Sequence, residues 1–115
     1  MRDRISRTSK RVPRKQGVAP SVDYEPLLLA RLKDPAEAAA YLEAVLEEED
    51  QAATMLALRQ IAQARGGVAE IARKAKLTRE ATYKMLSRSG NPELRSLSAV
   101  LKAAGLRIAV KPLAR

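Results

Sequence analysis

Val68-Ala-Glu-Ile-Ala-Arg-Lys-Ala-Lys-Leu-Thr-Arg-Glu-Ala-Thr-Tyr-Lys-Met-Leu-Ser87 is the stretch whose reading decides the fold. Its apolar residues recur at helical spacing in two short runs, Val68 to Lys76 and Thr78 to Ser87, with only a tight turn between them. Two short helices joined in this way form a helix-turn-helix. Ala72 supplies the small side chain needed where the helices cross closely. Ile71, Ala75, Leu77 and Met85 fall where apolar contacts must hold the crossing angle. Thr78 is a favourable N-cap, so the first turn of the second helix is left free to face a major groove.

The side chains opposite that apolar set are Thr78, Arg79, Glu80, Tyr83, Lys84 and Ser87, with Arg88 just beyond. Arg is the commonest bidentate reader of guanine, and Glu accepts from cytosine. Tyr83 suits a thymine methyl or a phosphate, whereas Lys84 and Arg88 suit positioning on the phosphate backbone. The start of the helix at Val68 adds amide donors for a phosphate. Taken singly, Arg79 and Glu80 read more readily as solvated first-turn residues and Tyr83 as a half-buried packing residue. Arg73 and Lys74 read as surface charges. Only the constellation points to DNA.

Outward from the motif the pattern stays helical. Asp23 to Lys33 reads as a short helix with Pro26 in its first turn. Asp34 looks like an N-cap, with Pro35 at the first helical position and Glu37 placed for a capping box. The stripe Ala38, Tyr41, Leu42, Val45, Leu46 carries that helix to Glu48. Asp50 caps the next helix, striped by Met55, Leu58, Ile61 and Ala62 and stopped by Gly66-Gly67 after Arg65. Beyond the turn cluster Ser89-Gly90-Asn91-Pro92, Asn91 is expected to cap a last helix with Pro92 in its first position. That helix runs to Ala104 and closes at Gly105. Leu106 to Lys111 alternates apolar and polar residues and predicts one short strand.

Composition fits this plan. Apolar residues make up 46% of the 115-residue chain, yet aromatics are only 3%, with no Phe or Trp. The core must come from Leu, Ala, Val, Ile and Met, which favours helices over strands. With neither Cys nor His, the chain lacks thiol chemistry, the usual general base and the commonest metal ligand. No carboxylate cluster replaces them, so neither an enzyme nor a cofactor or metal protein is expected.

The formal net charge of +9 is unevenly spread. Residues 1–22 carry seven basic and one acidic side chain, and residues 23–64 three basic and nine acidic. Residues 65–88 carry seven basic and two acidic, and residues 89–115 five and one. A basic half around a helix-turn-helix is the electrostatic footprint of a nucleic-acid binder. Residues 1–22 read as a disordered basic arm. No apolar run approaches the ~20 residues of a membrane span and no secretory signal opens the chain, so a cytoplasmic protein with no membrane contact is expected.

In Ala40-Tyr-Leu-Glu-Ala-Val-Leu-Glu-Glu48, Ile61-Ala-Gln-Ala-Arg-Gly66, Ile71 to Glu80, Tyr83-Lys-Met-Leu-Ser87, Gly90-Asn-Pro92 and Ala104-Gly-Leu-Arg-Ile-Ala-Val110, the order and spacing resemble the Cro/C1-type (XRE-like) helix-turn-helix proteins. Among these the chain is most similar to the HigA-like addiction-module antidote proteins. The resemblance spans about Asp34 to Pro112. It implies a mainly α protein of five to six helices in a lambda-repressor-like domain with a short C-terminal β-strand. Residues 1–22 would be the arm, 23–49 an N-terminal helical region available for toxin contact, and 50–115 the DNA-binding domain with its strand.

By function, the resemblance implies the antitoxin of a type II toxin–antitoxin system. Such a protein binds double-stranded operator DNA as a homodimer and neutralises a RelE/ParE-like toxin. A stand-alone transcriptional regulator without a toxin is the alternative. Two positions depart from the family pattern. Lys76 stands in the turn where Gly is usual, and Thr82 stands where the recognition helix is normally apolar, which predicts looser packing there.

Overall fold

The computed structural model describes residues 24–114, so the basic arm expected over residues 1–22 lies outside the described residues. Six helices follow one another: α1 (Tyr24–Arg31), α2 (Pro35–Glu47), α3 (Gln51–Ala64), α4 (Val68–Ala75), α5 (Arg79–Met85) and α6 (Leu94–Ala103). α3 is the hub, packing against α1, α2 and α4, while α4 also packs against α5 and α6. The core is aliphatic. Leu28, Leu32, Met55, Leu58, Ile61, Ile71, Leu86 and Val100 are each at least 97% buried. Each such side chain contributes about 1.5–3 kcal/mol by leaving water, which is what holds helices this short in place.

Local chemistry explains the boundaries. Asp34 caps α2 by accepting from the Ala36 amide at 2.9 Å, with Pro35 in the first turn. The expected capping box does not close. The Asp34 amide donates to Arg31 O at 3.2 Å, and Glu37 instead receives the Arg31 guanidinium at 2.8 Å. Asp50 caps α3 through the Ala53 amide at 3.2 Å. α3 ends at a left-handed Gly66, where the Gly67 amide reaches back to Ala62 O at 2.8 Å. Gly105 (φ 87°) ends α6 in the same manner, with the Leu106 amide on Leu101 O at 2.8 Å.

Two further expectations fail. α6 begins at Leu94 with Glu93 at the cap position, not with Asn91 capping and Pro92 inside the helix. The preceding loop is pinned first: a Cβ on Gly90 would lie 1.9 Å from Met85 O, and Gln51 Nε2 donates to Gly90 O at 2.8 Å. The chain therefore joins the α6 axis later than its capping residues suggest. The short C-terminal strand is also not formed. Leu106 to Lys111 has the alternation of a strand, but among the described residues no second strand supplies the backbone partners that a ladder requires.

Polar side chains tie the helices together across the core. Tyr41 of α2 donates to Gln60 Oε1 of α3 at 2.6 Å, and Gln60 Nε2 donates to Glu25 of α1 at 3.2 Å. Gln60 is nearly buried, so both ends of its amide need these partners. Burial, more than the neighbouring carboxylates, pushes the Tyr41 phenol upward. Arg65 donates to Ala104 O at 2.8 Å and to Lys33 O, joining the ends of α1 and α6.

Candidate nucleic-acid interface

α4 and α5 are short helices that pack against each other, joined by Lys76, Leu77 and Thr78. The turn is set by Lys76, which adopts φ 61°, ψ 39° in the left-handed region. Its amide donates to Arg73 O at 3.1 Å and the Leu77 amide to Ala72 O at 2.9 Å. That pair of bonds is a Schellman stop, and the partly buried Leu77 packs on the core beside it. Lys76 thus takes the conformation a glycine would favour, and the turn keeps the geometry that glycine would give.

Thr78 caps α5, its hydroxyl oxygen accepting from the Ala81 amide at 3.0 Å. Thr82 is fully buried, and its hydroxyl donates to Thr78 O at 2.8 Å. A polar residue at this inward position is therefore satisfied by its own helix and sealed from solvent. Leu86 seals the end of the helix at 0% exposure.

The opposite face is open. Thr78, Arg79, Glu80, Lys84 and Arg88 are exposed, Tyr83 is 48% exposed, and Ser87 is half-buried. All seven predicted site residues therefore lie in or beside α5, six of them exposed. Arg79 and Tyr83 are one turn apart, and the Arg79 guanidinium lies over the Tyr83 ring, 5.9 Å from its centroid. Ser87 is the least available, because its hydroxyl donates to Lys84 O at 2.8 Å. On α4, Arg73 grips Glu70 with two hydrogen bonds of 3.0 and 2.5 Å. The Arg73 hydrogen bond holds the Glu70 carboxyl below the usual carboxylate range. Lys74, Lys76, Arg79, Lys84 and Arg88 have no carboxylate partner among the described residues.

One residue that positions this face was not singled out in the sequence. Arg59 of α3 donates through Nη1 to Leu86 O, satisfying a carbonyl at the end of α5. The available signal was an isolated cation within the otherwise acidic stretch from Asp34 to Ala64, beside the buried stripe of α3. No group of three or more metal-ligating side chains converges among the described residues.

Residues 28–112, from the buried end of α1 through the segment after α6, match the family described as "Probable addiction module antidote protein". The chain belongs to this family. A similar protein is an "Uncharacterized protein" of Haemophilus influenzae, 39% identical over 71 residues that span 62% of this chain and 72% of the relative. No solved structure matches the chain. The antidote family match includes the whole of α4, the turn and α5. No helix of the described residues is long and apolar enough to cross a membrane.

Proposed function

We propose that this antidote-family protein is the antitoxin of a type II toxin–antitoxin pair, reading its own operator as a dimer through α5 and neutralising a basic RelE/ParE-like toxin by direct contact. The observation that carries the DNA half is the open face of α5. Arg79 and Glu80 stand in its first turn beside Tyr83, on a helix whose angle is fixed by the Lys76 turn, Thr82 and Arg59. Arg79 and Glu80 are suited to base edges, with Thr78 and Tyr83 beside them. Lys84 and Arg88 are suited to phosphates, with Ser87 a lesser contact.

Family membership supports the antitoxin half. Toxin contact falls on the acidic region over residues 23–49, where carboxylates such as Glu48 and Glu49 are exposed. The protein acts by binding and needs no cofactor, and its DNA target sets its place in the cytoplasm.

Two measurements test this. The purified chain is expected to retard its own upstream DNA in preference to random DNA at physiological salt, protecting half-sites about one helical turn apart. Co-expressed with the product of the adjacent reading frame, it is expected to co-purify with that product. Equal retardation of any DNA would end the operator reading. Operator binding without a co-purifying partner would make the protein a stand-alone regulator.

A further inference from the structure

A groove of about 650 Å³ lies between α2, α6 and residues 105–109, and no residue of α4 or α5 lines it. Its walls include Leu42, Leu46, Leu94, Leu97, Leu101 and Ile108. Of these, Leu46, Leu94 and Ile108 are 51%, 70% and 44% exposed, and Val110 continues the apolar surface at 93%. A contiguous apolar surface of this kind is unusual on a chain that works alone.

The charges beside the groove differ in sign from one wall to the other. The α2 wall carries Glu43, with Glu47 one turn further along the helix, and no Lys or Arg occurs between Asp34 and Arg59. The wall formed after α6 carries Arg107, with Lys111 just beyond it beside Glu43, and no Asp or Glu follows Glu93. A partner of one sign would be attracted by one wall and repelled by the other. A second copy related by a two-fold axis would instead set the acidic wall of each chain against the basic wall of its partner, twice.

The backbone points the same way. Among the described residues no backbone hydrogen bond extends past Leu106, although Leu106 to Lys111 has strand-like alternation. Two such segments paired antiparallel across a two-fold axis would supply each other's missing ladder. Within one chain, Lys111 Nζ and Glu43 Oε2 lie 3.7 Å apart across the two walls. Both side chains are well exposed, so this contact is weak and readily exchanged for one between chains.

We propose that this groove is the interface between two copies of the chain, with α2 of each copy facing residues 106–111 of the other. The proposal rests on the dimer reading given above and assigns the dimer its surface. Sedimentation equilibrium of the full chain tests it. The wild type is expected to be a dimer at micromolar concentration. Glu43→Lys and Lys111→Glu should each weaken dimerisation on the order of tenfold or more, by placing like charges opposite one another twice per dimer. Mixing the two variants should restore a heterodimer, because opposite charges then meet between chains while both intrachain contacts stay like-charged. Ile108→Asn, outside every helix, should weaken the dimer with unchanged helicity.

A mixture no tighter than either variant alone would overturn the proposal, as would a wild-type dimer indifferent to all three substitutions. That second result would leave the dimer reading standing on another surface. A wild type that stays monomeric throughout would overturn both. Operator retardation, measured separately, tests α5 independently of either result.

Discussion

Lys76→Gly probes the turn that sets α5 against α4. Lys76 sits at φ 61°, ψ 39°, a conformation that costs a residue with a Cβ about 1–2 kcal/mol. Glycine escapes that cost but loses about 0.5–1 kcal/mol of extra backbone entropy on folding. Removing the lysine also removes a cation from the C-terminal end of α4, where it contributes about 0.3–1 kcal/mol through the helix dipole. The informative comparison is therefore Lys76→Gly against Lys76→Ala, which share the charge loss and differ in backbone freedom. The glycine variant should be more stable than the alanine variant by about 1 kcal/mol, or about 4–8 °C in Tm for a domain of this size. Thermal and urea melts followed by far-UV circular dichroism measure the difference. An alanine variant as stable as the glycine variant would show that the left-handed turn is not what the helix-turn-helix rests on.

Thr82→Val should be neutral or slightly stabilising in the same melts, since the Thr82 amide still serves Thr78 O when the hydroxyl is gone. Thr82→Ser keeps the hydroxyl but deletes a buried methyl and should cost about 1 kcal/mol. Arg59→Met preserves much of the packed stem and leaves Leu86 O without its donor, with an expected loss of about 1–3 kcal/mol in urea denaturation. Arg73→Ala should let Glu70 titrate back up toward the ordinary carboxylate range in an NMR pH titration. Glu70 is lowered in the folded chain, so the pair's small contribution is present at neutral pH and fades as pH falls through the lowered value.

Much of this fold was legible because it is written locally. The caps at Asp34, Asp50 and Thr78, the stops at Gly66 and Gly105 and the buried stripe of α3 each depend on residues within a turn or two. The outward set on α5 was legible for the same reason, as helical periodicity places Arg79 and Tyr83 opposite Thr82 and Leu86. What escaped depends on residues distant in sequence. Arg59 reaching Leu86, Arg65 reaching Ala104 and Gln51 reaching Gly90 join positions that no local pattern pairs. The loop that Gln51 holds at Gly90 shifted the start of α6. The missing strand is the complementary case, because alternation records a tendency that only a neighbouring backbone can fulfil.

Competition binding of wild type and Arg79→Ala to upstream operator DNA and scrambled DNA at physiological salt tests α5 as the reading helix most directly. Arg79 is exposed and its guanidinium lies over the ring of Tyr83, so the substitution should leave helicity and melting intact. The preference for operator is expected to fall by about 1–3 kcal/mol, while binding to scrambled DNA weakens only as the loss of one cation requires. An unchanged operator preference in a folded Arg79→Ala protein would contradict the assignment of α5 as the reading helix.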